Sequence, residues 1–425
     1  MKKFIKFIAF VLALVMLSVL ISCGADEPQQ NETKTSQKVY NTAFQQATTA
    51  VPNSTATITE TTAEETTVVT MLTTVKRTGK RNMYKQTSDM RKITSQQLLS
   101  TLGAGITLGD SFDSYGAGEG KTIEEYETYL ENPVVTAELF EAYAKAGFSV
   151  VRIPVSWGEH IDENGNVDEL WLDRIEEVVG LVLENGMYCI INSQNDQSWL
   201  NTNKDNFSLA KKKFSTMWTC IANRFIDYND NLIFEGVSGI LKADNDKSEP
   251  DKTDIKNANV INQAFVDAVR ATGKNNKKRH LIVSTYGAFV SSAALDGFEP
   301  PSDVVKNRLI AKVDVYVPSS FCLDESKDNI WGSAEDKQYL ESVFAMVNMK
   351  FSALNMPVII GEFGIVDKGN TTARSAYAKH LVSTAYNYYM VCFWNDNGST
   401  MKLFDRESAN SVQPNIVKSI IESAK

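Results

Sequence analysis

Eight short apolar runs alternate with amphipathic stretches between residue 95 and the end of this 425-residue chain. Each run has the length of a strand, and the amphipathic stretches between them have the length and pattern of helices. The runs cover residues 103–109, 149–154, 187–192, 232–237, 280–285, 313–318, 357–361 and 390–394. This alternation predicts an α/β fold, and eight strand–helix units over about 330 residues predict a (β/α)8 TIM barrel.

A doubly wound open sheet is the alternative that the same pattern allows. No glycine-rich phosphate-binding loop follows the first run, which disfavours a nucleotide-binding sheet. In a TIM barrel the chemistry takes place where the strands end and the following loops begin. The ends of the eight runs are therefore where we look for functional residues.

The N-terminus has the pattern of an export signal. Lys2, Lys3 and Lys6 precede an apolar stretch over residues 7–21, and Cys23 follows at once. A basic segment, an apolar segment and small residues before a cysteine are typical of a bacterial lipoprotein signal peptide. We therefore expect residues 1–22 to be removed and Cys23 to be lipidated, so that the exported protein is anchored to the outer face of a membrane. A non-lipidated secretory signal or an uncleaved anchor is the alternative.

Residues 23–92 lack apolar periodicity and are rich in threonine, with 13 Thr among the 31 residues from 48 to 78. Such a segment buries too little apolar surface to offset its chain entropy. We expect a disordered linker here, or a region that carries glycans, and a barrel over residues 93–425.

The composition excludes several classes of partner. The formal charge is −9 without a basic block, so nucleic acid is not expected as a partner. Three histidines in the whole chain argue against a histidine-rich metal site. We expect no cofactor and no metal, and a monomer.

Four segments resemble the motifs of one enzyme family. They are residues 106–110, 147–157, 357–364 and 392–398, at the ends of the first, second, seventh and eighth runs. Together they resemble glycoside hydrolase family 5, the large cellulase and endoglucanase family. The resemblance implies a TIM barrel that acts on β-linked polysaccharide with two carboxyl groups about 5–5.5 Å apart.

The resemblance also implies roles for single residues. Glu362 stands at the position of the nucleophile, and Arg152 and Tyr316 stand where the family keeps that carboxylate ionised and oriented. Trp394 corresponds to the tryptophan that forms the floor of a sugar subsite.

Three positions depart from the family. The family places its acid/base glutamate in an Asn-Glu pair after the fourth strand, but Ser238 and Gly239 stand there. Gln194 and Asn195 replace a histidine pair, and Asp314 replaces a histidine before Tyr316. We expect these three residues to bind substrate. Without the acid/base residue, we expect hydrolysis to be impaired.

Other carboxylates are weak substitutes for the missing acid. Glu235 lies four residues upstream on the same run, and at about 3.3 Å per residue we expect it some 13 Å deeper, as a buried structural acid. Loop carboxylates that have no support from a motif are Asp196, Asp244, Asp246 and Glu249.

Four tryptophans follow predicted strands and are expected to stack on sugar rings, namely Trp157, Trp199, Trp331 and Trp394. Three interpretations of the function remain. The chain is a silent or impaired homologue that binds β-linked polysaccharide at the cell surface, an active retaining endo-β-glycanase with a relocated acid/base, or a structural envelope lipoprotein.

Overall fold

The structure is a computed structural model that describes residues 90–203, 205–243, 249–326 and 329–425. The predicted signal peptide, Cys23 and the linker up to residue 89 lie outside these ranges. Within them, no helix combines the length and the apolar character that a membrane crossing needs.

Eight parallel strands close into a barrel in sequence order, with the first strand paired to the eighth. This confirms the predicted TIM barrel. The strands are β1 (Gly105–Leu108), β2 (Val150–Ile153), β3 (Tyr188–Ile191), β4 (Leu232–Glu235), β5 (Leu281–Ser284), β6 (Leu309–Asp314), β7 (Val358–Phe363) and β8 (Val391–Asp396). A two-stranded ribbon, β9 (Phe404–Asp405) and β10 (Asn410–Ser411), follows the barrel.

Helices lie between the strands and at both ends of the described chain. They are α1 (Ser95–Leu99), α2 (Ile123–Glu127), α3 (Ala137–Ala146), α4 (Glu169–Glu184), α5 (Phe207–Arg224), α6 (Lys252–Ala271), α7 (Ser292–Gly297), α8 (Ser319–Cys322), α9 (Ala334–Ala353), α10 (Thr371–Asn387) and α11 (Pro414–Ser423). Several begin at capping boxes, such as those of Asp251 before α6 and Ser333 before α9. A side-chain oxygen there accepts from the otherwise unpaired amides of the first turn.

The barrel interior changes from apolar to charged along the strands. One layer contains Ile190, Ile233, Ile282, Ile310 and Ile359, and it packs against the leucines of α1. Because alternate residues of a strand point to the same face, the position two residues later on each strand also points inward. Those positions hold mainly polar side chains, which are therefore buried in the C-terminal half of the barrel.

The sixth strand begins earlier than the sequence predicts. The apolar run suggested residues 313–318, whereas the strand is Leu309–Asp314. Lys312 interrupts the apolar pattern, although it lies inside the strand and is fully buried. The correct register puts this lysine in the barrel and puts Asp314 at the strand's end.

Arg91, two residues before the predicted start of the barrel domain, contacts the barrel. It forms an ion pair with Asp230, and its carbonyl accepts from Arg308 Nη2 at 2.7 Å.

Candidate functional site

Glu362 lies near the C-terminal end of β7 with only 1% of its side chain exposed. Its Oε1 accepts from Arg152 Nη1 at 2.9 Å and from Gln194 Nε2 at 3.2 Å. Its Oε2 accepts from Tyr316 OH at 3.2 Å. The structure thus brings Arg152 and Tyr316 against Glu362 as predicted, and it adds Gln194. These donors hold the carboxylate in one orientation.

Arg152 binds a second carboxylate in the same barrel. Its Nε and Nη2 donate to Glu235 at 2.6 and 2.7 Å, and Nη2 also donates to Ser238 Oγ at 3.0 Å. Burial alone would lower the pKa of Arg152, but Glu235 and Glu362 hold it well above the usual value. The guanidinium therefore remains charged and links β2 to β4 and β7.

Glu235 is a buried structural acid, as predicted, but the predicted depth is wrong. Its carboxylate contacts the same guanidinium as Glu362, because β4 ends at Glu235 and the chain does not continue as a strand to Gly239. Burial tends to raise the pKa of Glu235, but Arg152 and Lys312 outweigh it and lower the pKa to about 2.

Lys312 is a central residue that the sequence analysis missed. Its Nζ donates to the Ser238 carbonyl at 2.7 Å, to Ser238 Oγ at 2.8 Å and to Asp314 Oδ2 at 3.0 Å, and it lies 3.6 Å from Glu235 Oε1. Its aliphatic chain crosses Gly361, where a Cβ atom would overlap Lys312 Cε. The sequence does contain a signal for this residue, a lysine within an apolar stretch. The analysis did not use it, because the predicted strand began at residue 313 and left Lys312 outside.

Asp314 faces this lysine at the end of β6. Its Oδ2 accepts from Lys312, whereas its buried Oδ1 has no hydrogen-bond partner within the described part of the chain. Burial raises the pKa of Asp314 to about 7; Lys312 opposes this shift and Glu362 adds to it. Asp314 therefore changes charge near neutral pH.

The positions that replace the acid/base pair cannot take a glutamate without rearrangement. Ser238 is held by Arg152 and Lys312. A Cβ atom at Gly239 would lie 2.6 Å from the carbonyl carbon of Gly287 and 2.8 Å from the nitrogen of Ala288. The main chain after β5 thus fills the space beside Gly239.

The loop after β1 brings two more carboxylates near Glu362. Burial raises the pKa of Asp110 to about 6, an effect that Arg406 opposes and Glu362 reinforces. Burial and the neighbouring Asp110 raise the pKa of Asp113 well above its usual value. Asn195, predicted to bind substrate, is partly exposed and donates from Nδ2 to the Asp113 carbonyl at 2.8 Å.

Three of the four tryptophans predicted to stack on sugars are buried in the core. Trp157 donates to the Asn192 carbonyl, and Trp394 packs against Phe363 and donates to the Met401 carbonyl. Trp331 is buried against the aromatic rings of α8 and α10. The prediction is therefore wrong for Trp157, Trp331 and Trp394, because their rings pack behind the strands and loops and are not exposed. Trp199 remains partly exposed.

Asn395 occupies the inward position that the sequence analysis assigned to Trp394. Adjacent strand residues point to opposite faces, so a buried outward Trp394 places Asn395 toward the site. Its Nδ2 donates to Tyr316 OH at 3.2 Å, and its buried Oδ1 has no partner among the described residues. The strand end therefore presents an amide beside Glu362.

The other suggested acids stand apart from this network. Asp196 accepts from Trp157 N, Gly158 N, Ser193 Oγ and Trp199 Nε1, an arrangement that orders the loop after β3. Glu249 is exposed. Asp244 and Asp246 lie outside the described residues.

Comparison with known proteins gives consistent matches. The sequence profile of the family Cellulase (glycosyl hydrolase family 5) matches residues 113–400. The chain is 34% identical over 347 residues to Cellulase/esterase CelE of Acetivibrio thermocellus, covering 79% of this chain but 41% of that protein. It is 33% identical over 355 residues to the xyloglucan-specific endo-beta-1,4-glucanase BoGH5A of Bacteroides ovatus, covering 78% of this chain and 70% of that protein.

A solved structure agrees with the sequence matches. The GH5-4 broad specificity endoglucanase from Ruminococcus champanellensis with bound cellotriose superimposes with a TM-score of 0.76 at 31% identity, over 78% of this chain and 99% of that one. The barrel, the Glu362–Arg152–Tyr316 geometry and the profile match agree, and the chain belongs to glycoside hydrolase family 5.

Proposed function

We propose that this protein is a cell-surface lipoprotein that binds β-linked glycans at the C-terminal face of its barrel and in which ordinary hydrolysis is impaired. Family 5 membership supports the glycan class, and the residues at the acid/base position support the impairment. Glu362 keeps the partners that a nucleophile needs, but Ser238 and Gly239 supply no proton donor for the leaving oxygen.

One observation carries the impairment. The backbone of Gly287 and Ala288 lies within 3 Å of a Cβ atom placed at Gly239. A glutamate at that position would therefore require the loop after β5 to move. General acid–base assistance is worth about 10²–10⁴-fold in rate, and we expect that factor to be missing from position 239.

Relatives support the choice of ligand. One matched structure contains cellotriose, and one matched protein is specific for xyloglucan by name. In this chain the partly exposed groups near the network include Asp110, Asn195 and Asn395, whose polar atoms suit sugar hydroxyls. Trp199 adds a partly exposed aromatic ring for stacking.

The attachment to the envelope rests on sequence alone. The basic segment, the apolar segment and Cys23 form the pattern of a lipoprotein signal, and the Thr-rich linker would separate the barrel from the membrane.

Calorimetry and product analysis test the proposal. We expect heat of binding with cellotetraose or xyloglucan oligosaccharides, and release of reducing sugar from cellulose, xyloglucan or mannan far below that of an active family member. Trp199→Ala should weaken binding, whereas Leu209→Ala, an exposed apolar residue on α5, should not. Normal hydrolysis rates would contradict the impairment, and absence of binding to every β-linked glycan would favour a structural envelope protein.

A further inference from the structure

Asp314 and Glu362 are direct neighbours in the barrel. The register between β6 and β7 shifts after Val313, so that Asp314 is paired with Glu362. Neighbouring strands lie about 4.8 Å apart, so the backbones of the two residues are adjacent. The shift in register thus places a second carboxyl group beside the nucleophile.

Asp314 also lies close to the site that lost its acid. Lys312 Nζ contacts both Asp314 Oδ2, at 3.0 Å, and Ser238 Oγ, at 2.8 Å. One ammonium group therefore joins Asp314 to the position where the family places its Asn-Glu pair. The ammonium group therefore brings the Asp314 carboxyl group close to that position.

Two buried acceptor atoms next to Glu362 indicate a ligand with hydroxyl groups. Asp314 Oδ1 and Asn395 Oδ1 have no hydrogen-bond partner within the described chain, and Asp314 is 3% exposed. Buried polar atoms are normally paired, and unpaired ones require an explanation. Asp196, by contrast, has both oxygens engaged by several donors.

We propose that Asp314 is the acid/base residue that serves Glu362 in a slow, retaining cleavage of β-glycosides. This inference rests on the proposed binding of β-linked glycans at the same face. It assigns the impaired reaction a proton donor on β6 in place of the family's donor after β4.

Asp314 and Glu362, together with one water molecule, are sufficient for both steps of the reaction. Glu362 carboxylate attacks the anomeric carbon while the Asp314 carboxyl proton passes to the leaving oxygen, so the C–O bond breaks and an alcohol departs. A glycosyl ester on Glu362 remains. Water then attacks the anomeric carbon, Asp314 takes its proton, and Glu362 leaves as a carboxylate.

The charges around Asp314 suit a proton donor at neutral pH. The groups that face it are Lys312 on its own strand, Glu362 on β7 and Arg152 on β2. Burial outweighs the two cations and raises the pKa of Asp314 to about 7, which lies near the working pH of an acid catalyst.

Cellotetraose, two aryl cellobiosides and azide test the assignment. With cellotetraose, whose sugar leaving group needs protonation, Asp314→Asn should lose about 10²–10⁴-fold in kcat/KM. With 4-methylumbelliferyl cellobioside, whose leaving group is a weaker acid than dinitrophenol, the loss should be smaller. With 2,4-dinitrophenyl cellobioside, formation of the glycosyl enzyme should survive, and its hydrolysis should be slow. Intact-mass spectrometry should then show one cellobiosyl group on the variant, absent when Glu362→Gln is added. Azide should restore turnover and give a glycosyl azide.

Controls separate a chemical role from a structural one. Asp267→Asn, at an exposed position on α6, should keep the wild-type rate. Asp196→Asn removes a buried carboxylate outside the network, and azide should not restore any activity that it loses. If Asp314→Asn does not fold, the wild-type pH profile decides: kcat/KM for the methylumbelliferyl substrate should fall as the pH rises through about 7.

The outcomes distinguish this inference from the proposed function. Glycan binding without turnover of either cellobioside, or a variant that azide does not restore, would overturn the role of Asp314 and leave the binding function intact. A lack of binding to every β-linked glycan would overturn the proposed function itself.

Discussion

The Nζ atom of Lys312 lies 2.8 Å from Ser238 Oγ, so that a barrel lysine holds the residue that replaces half of the family's Asn-Glu pair. The same ammonium contacts Asp314 and lies near Glu235. The site is therefore a balanced cluster of two cations and three carboxyl groups, Arg152 and Lys312 with Glu235, Asp314 and Glu362. Removing one member leaves buried charge without compensation.

Lys312→Met should destabilise the protein by about 3–5 kcal/mol, because the buried Glu235 loses one of its two cationic partners. Chemical denaturation measures the loss. Lys211→Met, at an exposed position on α5, should change the free energy of unfolding by less than about 0.5 kcal/mol. Equal stabilities of the two variants would show that Lys312 carries no such energetic role.

Gly239→Glu should not restore hydrolysis. Its Cβ atom would meet the backbone of Gly287 and Ala288, and overpacking of this kind costs about 1–3 kcal/mol. Gly180→Glu is a matched control, because Gly180 lies on α4 with open space around a Cβ atom; it should be neutral or stabilising. Thermal melting and a reducing-sugar assay follow both variants. A stable, active Gly239→Glu protein would contradict this account of the loop after β5.

The raised pKa of Asp314 predicts a pH-dependent stability. An acid with a pKa near 7 in the folded protein and 3.8 when unfolded binds its proton more tightly in the folded state. Its contribution is complete below about pH 4 and declines as the pH rises to about 7. Asp314→Asn should remove up to about 1.4 kcal/mol per pH unit from the slope over this window. Denaturant titrations at several pH values provide the measurement, and identical slopes would contradict the shift.

Trp394 and Trp199 should respond differently to truncation. Trp394→Ala removes a buried ring that packs against Phe363, with a ring separation of 5.4 Å, and should cost about 3–5 kcal/mol in stability. Trp199→Ala should cost little stability and should weaken glycan binding. Denaturation and calorimetry on both variants separate the roles. A stable Trp394→Ala protein with weakened glycan binding would return Trp394 to the sugar subsite.

Cys23→Ser should abolish lipid attachment. In a bacterial host, the wild-type chain should incorporate labelled palmitate and remain with the membranes, whereas the variant should lose both properties. Cys220→Ser, within α5, should retain them. Label in the Cys23→Ser protein would contradict the predicted lipidation site.

The sequence predicted the barrel and the Glu362–Arg152–Tyr316 contacts because strand–helix alternation and family motifs are local signals. It misplaced β6 because Lys312 interrupts the apolar run, and a buried, paired lysine has no signature in the sequence. The sequence analysis assigned the inward position at the end of β8 to Trp394, whereas Asn395 occupies it. A one-residue error on a strand reverses the face of each side chain. The obstruction at Gly239 arises from a contact with Gly287, and no local pattern reports a contact 48 positions away along the chain.

Gly361 leaves room for the side chain of Lys312, because a Cβ atom at this position would overlap Lys312 Cε. Any side chain at position 361 would therefore push the ammonium group away from Ser238 and Asp314. The electrostatic environment of the neighbouring Glu362 thus depends on a residue that itself has neither charge nor side chain.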